Sequence, residues 1–143
     1  MKCPKCVGKL QKKEIKVYEQ KGSDKSKDSY GSYGLEVDQC FVCKGVWFDK
    51  GEFEKYNTDK LTIIDSPALG GDLDRELDTR KGKCPRCDIE LDKTPYEKDR
   101  SITLDVCSQC GGTWLDSTEI DRIEKVNRSG FLGSLLKRLK IKK

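Results

Sequence analysis

Cysteine spacing constrains this 143-residue chain more than any other feature. Its eight cysteines all fall in C-x-x-C pairs, namely Cys3 and Cys6, Cys40 and Cys43, Cys84 and Cys87, and Cys107 and Cys110. A two-residue gap lets both thiolates of a pair turn onto one metal ion, and two such pairs complete a tetrahedral four-sulfur shell. The spacing therefore predicts two metal sites and favours two structural Zn²⁺ ions per chain.

Other uses of cysteine pairs fit the surrounding sequence less well. A disulfide scaffold belongs to oxidising compartments, whereas the start of the chain has no apolar run of the kind found in signal peptides, which predicts a reducing, cytoplasmic setting. A thioredoxin-like pair would begin a helix after an apolar strand, and here the pairs lie on turns rich in Lys, Gly and Pro. Iron in a four-sulfur shell and redox dithiols remain as alternatives.

The composition also favours metal-stabilised modules. Hydrophobic residues make up 34% of the chain and charged residues 38%, which is too little apolar surface for one conventional core to offset chain entropy. A structural zinc site contributes on the order of 10–16 kcal/mol. We therefore expect modules that fold around their ions and are unfolded without them.

The net charge of the chain gives little information about its binding partners. The formal charge is +4, but a Zn²⁺ held by four thiolates carries two negative charges, so two sites bring the total near zero. The basic composition is therefore weak evidence for nucleic-acid binding. No stretch approaches the roughly 20 apolar residues of a membrane span, which predicts a soluble protein.

The two halves of the chain repeat. We call each C-x-x-C pair with its turn a knuckle. The first knuckles of the two copies are 81 residues apart and the second knuckles 67, so the first copy holds a 14-residue insertion. It lies within Lys21 to Gly34, a polar stretch that predicts a long mobile hairpin tip. Because each copy has a complete ligand set, we assign one zinc to the four cysteines of each copy. Pairing across copies is the alternative and requires longer loop closures.

Short alternating stretches between the knuckles predict strands at Ile15–Tyr18, Leu35–Val37 and Ile102–Val106. A hairpin that links two knuckles is the zinc-ribbon arrangement. We predict a small metal-stabilised α+β fold with two tandem ribbons, each a knuckle, a β-hairpin, a second knuckle and a short helix. The predicted organisation is ribbon one at 1–56, a linker at 57–82, ribbon two at 83–127 and a basic amphipathic tail at 128–143.

Each predicted helix follows a possible capping box. Asp49 with Glu52, and Asp116 with Glu119, have the spacing at which the aspartate accepts the N3 amide and the glutamate accepts the cap amide. The second helix is predicted to end near Asn127 to Gly130. In the linker, residues 61–64 fit either an extra strand or a packing patch, and residues 72–81 fit either a helix or a solvated run.

Conspicuous residues flank the cysteines. Trp47 and Trp114, four residues after the last cysteine of each copy, fit either base stacking or a small core, and the core is favoured. A second group of residues, the glycines that follow the knuckles, predicts tight turns that point N–H groups at sulfur; its members are Gly45, Gly111 and Gly112. A third group is basic and fits either compensation of the thiolate charge or contact with phosphate; its members are Lys5, Lys9, Lys44 and Arg86.

Catalysis has no support in the sequence. The chain has no histidine, which excludes Ser-His-Asp and Cys-His chemistry. The acidic residues look scattered over charged surfaces, there is no phosphate-binding glycine loop, and a four-thiolate zinc leaves no open coordination position. We expect a protein that is not an enzyme.

The tail, Phe131 to Lys143, has the pattern of a short basic amphipathic helix. On a helix, its apolar residues share one face, namely Phe131, Leu132, Leu135, Leu136 and Leu139. Three uses stay open: packing on the ribbons or a second copy, binding an acidic protein or nucleic acid, and lying on a lipid surface.

The repeated pattern C-P-x-C, a hairpin, then C-x-x-C-x-G-x-W-[FL]-D-x-x-E-[FI] resembles the transcription factor IIB-type zinc-ribbon family of small prokaryotic proteins. It covers roughly residues 2–56 and 83–126. The resemblance implies four-cysteine zinc sites and a link to transcription, since the ribbon of the general transcription factor docks on RNA polymerase. This is a fold-level analogy. The chain departs from the pattern by its insertion and by Lys44, which stands where copy two has Gly111.

These inferences together predict a cytoplasmic tandem zinc-ribbon protein that acts by contact with protein or nucleic acid, in transcription. The alternative is a zinc-stabilised scaffold or a membrane-surface adaptor that works through the tail.

Overall fold

The computed structural model describes residues 1–20, 30–57, 61–62, 75–77 and 79–140. Within these ranges the chain forms seven strands, a short helix, a long helix and a helical segment at residues 75–77.

A long antiparallel hairpin dominates the first copy. Strand β1 (Leu10–Gln20) pairs with β2 (Tyr30–Cys40) along its whole length. Alternate residues point to the core, so that Ile15 and Val17 are buried while Glu14 and Lys16 are exposed. Both predicted strands of this hairpin are confirmed, and both are longer than the sequence indicated. The predicted mobile tip is wrong for residues 30–34, which belong to β2, and residues 21–29 lie outside the described ranges.

The second copy repeats this layout on a smaller scale. Strands β5 (Asp92–Pro95) and β6 (Thr103–Val106) form its hairpin, which confirms the strand predicted at residues 102–106. A short strand follows the second knuckle of each copy: β3 (Val46–Phe48) in copy one and β7 (Thr113–Leu115) in copy two.

Both copies belong to one sheet. The strand order is β4-β1-β2-β3-β7-β6-β5, and the antiparallel pair β3–β7 joins the copies. In that pair Trp47 lies opposite Trp114, Val46 opposite Leu115 and Phe48 opposite Thr113. We call this interface between the two copies the joint. Because corresponding residues of the two copies occupy corresponding positions in it, the joint has an approximate two-fold axis between the two tryptophans. The sequence left the relative orientation of the ribbons undecided.

Each face of the sheet has its own buried cluster. On one face, aliphatic and aromatic residues from both copies pack together; they are Ile15, Val17, Leu35, Val37, Val46, Phe48, Tyr56, Tyr96, Ile102, Leu104, Leu115, Ile120 and Ile123. On the other face, both tryptophans pack with the cysteines, Leu77 and Leu91. The composition argued against one conventional core, and the described residues form two clusters, each of which draws on both copies.

The helices cover the aliphatic face. Helix α1 (Glu52–Tyr56) buries Tyr56 against Phe48, with ring centroids 4.9 Å apart. Helix α2 (Ser117–Lys140) buries Ile120 and Ile123. Both predicted helices are confirmed, but the predicted end near Asn127 to Gly130 is wrong: the helix runs through Gly130 to Lys140 without a break. The tail is thus helical, as expected, but continuous with the helix of copy two.

Part of the linker contacts the sheet and the first knuckle. Leu61–Thr62 forms strand β4 and pairs with β1, which settles the choice left open for the start of that segment; residues 63–64 lie outside the described ranges. Residues 75–77 are helical and place Leu77 in the cysteine cluster. Among the helices of the described ranges, none combines the length and apolar character needed to cross a bilayer.

Candidate metal centres

The structure gathers the cysteines of copy one into a single cluster. The Sγ atoms of Cys3 and Cys43 are 3.7 Å apart, and those of Cys6 and Cys40 are 3.5 Å apart. All four sulfurs lie within 4.8 Å of one another. Four sulfurs at about 2.3 Å from a tetrahedral zinc are separated by about 3.8 Å, so this cluster fits one Zn²⁺.

Copy two has an equivalent cluster. Its four ligand candidates are Cys84, Cys87, Cys107 and Cys110, with Sγ atoms again within 4.8 Å. The Sγ atoms of Cys84 and Cys110 are 3.7 Å apart. The sulfurs thus group within copies rather than across them. The two clusters suit two Zn²⁺ ions, and that each of the eight thiolates is a ligand remains a prediction for metal analysis.

Backbone N–H groups surround the sulfurs, as expected for zinc knuckles. The N–H groups of Lys5 and Cys6 donate to Cys3 Sγ, each at 3.4 Å. In copy two, Cys87 N–H donates to Cys84 Sγ at 3.3 Å. These N–H donors stabilise negative charge on the sulfurs.

The pKa values of the thiols shift in both directions within each cluster: burial raises those of Cys40 and Cys84, whereas those of Cys43 and Cys107 are lowered. A hydrogen bond from the Cys3 thiol, helped by the Gly45 N–H, lowers the pKa of Cys43 to about 6. Burial raises the pKa of Cys107, but hydrogen bonds from the N–H groups of Cys110 and Gln109 outweigh it and lower the pKa to about 7. Thiolates are the form that binds zinc.

The turn after the second knuckle is the same in both copies. Lys44 has φ 65° and Gly111 has φ 76°, both left-handed, and their N–H groups donate to the carbonyls of Cys40 and Cys107. The lysine in copy one therefore does not change the turn. It occupies a conformation that glycine adopts more readily.

The predicted role of the other two glycines was incomplete. A Cβ on Gly45 would lie 2.3 Å from Cζ2 of Trp114, and a Cβ on Gly112 would lie 2.1 Å from Cζ2 of Trp47. Each tryptophan thus packs on the glycine of the other copy. The core interpretation of both tryptophans is confirmed, since they are fully buried. What the sequence did not indicate is that this core is shared.

A buried ion cluster also joins the copies. Lys5, from the first knuckle of copy one, places Nζ 2.7 Å from Asp105 and 2.8 Å from Asp116 of copy two. All three side chains are nearly inaccessible to solvent. Lys93 Nζ binds the other oxygen of Asp105 at 2.9 Å. Two ammonium groups therefore balance two carboxylates inside the protein.

Glu119 also belongs to this cluster, and its burial favours the neutral acid. Its Oε1 accepts the Asp116 N–H at 2.9 Å. Burial, reinforced by the charge of Asp116, raises the pKa of Glu119 to about 10. The acidic group of Asp105, Asp116 and Glu119 has the spacing of a metal site, but Lys5 Nζ already supplies the cation there.

The equivalent cluster on the other side of the joint is more exposed. Arg86, which corresponds to Lys5, binds Asp49 of copy one through Nε and through Nη2, the latter at 2.7 Å. Its Nη2 also lies 3.5 Å from Asp38. The Arg86 side chain is 42% exposed, whereas that of Lys5 is 0% exposed. The two sides of the joint thus have the same kind of ion pair, but the pair of Lys5 is buried and that of Arg86 is partly exposed.

These contacts correct several expectations. Lys5 and Arg86 pair with carboxylates of the other copy, and Arg86 also interacts electrostatically with Cys110. The acidic residues of this joint are not scattered surface charges. The aspartate half of each capping box is wrong as well, because Asp49 and Asp116 each accept the indole N–H of the preceding tryptophan instead, while the glutamate half is confirmed.

The sequence did contain a signal for this joint. The acidic and basic positions recur at the repeat offsets: Lys5 with Arg86, Asp38 with Asp105, Asp49 with Asp116 and Glu52 with Glu119. Charges that lie in a two-fold interface are expected to recur at equivalent positions of both copies.

The family model described as transcription factor zinc-finger matches residues 28–58 and 83–126, which is more than half of the chain. The chain belongs to this zinc-ribbon family. The first match lacks the knuckle of Cys3 and Cys6, which the long hairpin separates from the rest of copy one. Comparison with curated proteins and with solved structures finds no significant match.

Proposed function

We propose that this tandem zinc-ribbon protein works by binding a protein or a nucleic acid, in transcription, and that it is not an enzyme. The observation that carries the proposal is the composition of the two clusters: each holds four sulfurs within 4.8 Å. A zinc ion bound by four thiolates has no open position for water or substrate. The metal then acts as structural support for a binding surface.

The joint between the copies supports the same conclusion. Because β3 and β7 pair and Lys5 bridges to Asp116, the two ribbons present their surfaces in a fixed relation. A rigid pair of modules loses little conformational entropy on binding. The family description, transcription factor zinc-finger, supports transcription as the setting. Thiols that serve as zinc ligands must stay reduced, so we place the protein in a reducing, cytoplasmic environment.

Titration of zinc-loaded protein with RNA and DNA separates the two kinds of partner. A nucleic-acid binder that touches several phosphates loses affinity by about 10³-fold or more between about 50 and 200 mM salt. Substitution of exposed Lys16, Lys50 and Lys55 by Gln should then reduce the salt dependence. No binding at the lower salt would remove nucleic acid and leave protein partners.

Purified RNA polymerase tests the transcription setting directly. We expect the zinc-loaded chain to bind the core enzyme, and the protein with both zinc ions removed to fail. Binding that is unaffected by zinc removal would contradict the proposal, because the surface depends on the metal-supported fold.

The helical tail supports a second candidate function. Helix α2 continues to Lys140, so that the basic C-terminal segment extends the helix that packs on the sheet. A basic amphipathic extension suits a scaffold or a membrane-surface adaptor. A chain ending at Gly130 tests this: unchanged self-association and unchanged vesicle binding would discard the second candidate.

A further inference from the structure

The two knuckle ends of the molecule differ in polarity, although they share one fold. In copy one the large apolar side chains exposed near the cysteines are Met1, Val7, Phe41 and Val42. We call these four residues the apolar tip. At the equivalent positions copy two has Gly82, Asp88, Ser108 and Gln109. The zinc knuckle therefore does not require apolar residues there, and their presence in copy one needs another reason.

The apolar tip is exposed and projects from the protein. Val7 is 98% exposed, and Phe41 and Val42 are 50% and 45% exposed. Val42 lies over Gly8, where an added Cβ would come within 2.9 Å of its Cγ2. The turn of Val7 and the turn of Phe41 and Val42 thus stand side by side. Removal of these exposed apolar side chains from water into an apolar environment would be favourable.

Basic residues border the apolar tip. Lys2 and Lys9 are exposed and lie opposite each other in a β-bridge. Residues 1–13 and 39–48 contain no Asp or Glu, and Lys12 in the first of these ranges pairs with Glu36 across the hairpin. In copy two the position of Lys9 is taken by Glu90. Lys2 and Lys9 balance the two negative charges of a four-thiolate zinc site, and Lys5 is neutralised internally.

Lys44 adds an independent observation. It lies directly after Cys43 in a left-handed conformation, φ 65°, where copy two has glycine. A side chain in this conformation costs free energy relative to glycine. Lysine at this position adds a positive charge beside Phe41 and Val42.

We propose that the apolar tip inserts into anionic lipid membranes, with the lysines at its border contacting the headgroups. Lipid chains accommodate a convex group of side chains without a preformed pocket, and anionic headgroups match the lysines. A second copy of the chain fits less well, because the same lysines would face each other across the contact. Nucleic acid fits less well too, since aliphatic Val7 and Val42 offer no stacking surface. The proposal does not depend on the proposed function.

Vesicle sedimentation with full-length, zinc-loaded protein tests the proposal. Vesicles of phosphatidylcholine containing about 30% phosphatidylserine should bind the protein, and pure phosphatidylcholine should bind it weakly. The double variant Phe41→Ser, Val42→Gln has the residues of copy two, so it keeps a compatible knuckle. We expect it to lower the partition coefficient by at least about tenfold. The matched copy-two control, Ser108→Ala with Gln109→Ala, should bind like the wild type.

Two further variants separate insertion from general attraction. In Phe41→Trp, the new indole should shift its emission to the blue on vesicle addition and be quenched by brominated lipid, since Trp47 and Trp114 are buried. Lys44→Gly should weaken binding while its thermal stability stays equal or rises, because glycine prefers the left-handed conformation.

Several results would overturn the proposal. One is a wild-type protein that ignores anionic vesicles; another is a Phe41→Ser, Val42→Gln variant that binds as well as the wild type, which would assign lipid binding to the tail. Failure of brominated lipid to quench the indole of Phe41→Trp would also overturn the proposal. A protein partner lost in the double variant, with no vesicle binding by the wild type, would make the tip a protein interface instead.

Discussion

The indole of Trp47 lies directly on the backbone of Gly112, and Trp114 makes the same contact with Gly45. Each tryptophan comes from one repeat and each glycine from the other. The two contacts flank the strand pair β3–β7, in which Trp47 and Trp114 lie opposite each other. The two ribbons are therefore two halves of one structure, and substitutions at the joint test that statement.

Gly112→Ala should destabilise the zinc-loaded protein by about 1–3 kcal/mol or more, because overpacking a filled core forces side chains and backbone to shift. The new Cβ would lie 2.1 Å from Cζ2 of a fully buried indole, which has no room to move. Urea unfolding at fixed zinc concentration measures the change.

Gly34→Ala is the matched control. Its Cβ would meet only the flexible side chain of Glu14, so we expect a change within about 0.5 kcal/mol. Equal stability of Gly112→Ala and the wild type would show that the indole does not pack on this glycine in solution.

Lys5→Met should cost about 3–5 kcal/mol of stability, because it leaves the buried carboxylates of Asp105 and Asp116 without their shared cation. Arg86→Met, the equivalent change across the two-fold axis, should cost under about 1 kcal/mol, since that ion pair is partly exposed. Chemical unfolding of both variants gives the comparison. Similar losses for the two would contradict the difference in burial on which the expectation rests.

The sequence predicted what depends on local spacing. Cys40 and Cys43 specify their knuckle through a two-residue gap, and Glu52 specifies its contact with the Asp49 N–H through a three-residue gap. The joint was not predicted, because Lys5 meets Asp116 at a separation of 111 residues, and a composition count cannot show which charges meet. The predicted end of the second helix was also wrong. Gly130 suggested a stop, but the helix continues past it.

Glu119→Gln should stabilise the protein, and increasingly so as pH rises. The folded-state pKa of Glu119 is about 10, well above its unfolded value of 4.5, so the folded state retains a proton that the unfolded state releases. The resulting stability is fully present below about pH 4.5 and is lost progressively as pH rises toward 10. Glutamine can still accept the Asp116 N–H and does not titrate.

Unfolding at several pH values between about 6 and 9 checks this prediction, with a maximal slope of about 1.4 kcal/mol per pH unit for one proton. Glu52→Gln, at the equivalent partly exposed position, is the control and should show a much smaller pH-dependent gain. A constant difference between Glu119→Gln and wild type across this range would mean that Glu119 is ionised in the folded protein.

Loss of one metal site should destabilise both repeats, because they share a sheet and a core. Metal analysis of protein purified under reducing conditions should find two zinc ions and no iron, and Cys43→Ser should retain one. A structural site contributes on the order of 10–16 kcal/mol, which exceeds the stability of most domains, so this variant should lose cooperative folding in copy two as well.

Hydrogen exchange at the amides of β7 and the first turns of α2 gives the readout, since these elements belong to copy two and lie far in sequence from Cys43. The matched variant Cys110→Ser should reduce protection in β1 and β2 of copy one by the same mechanism. Full protection of copy two in Cys43→Ser, with its own zinc retained, would contradict the coupling. The tryptophan and lysine contacts across the joint would then hold the folded ribbons together without making either depend on the other.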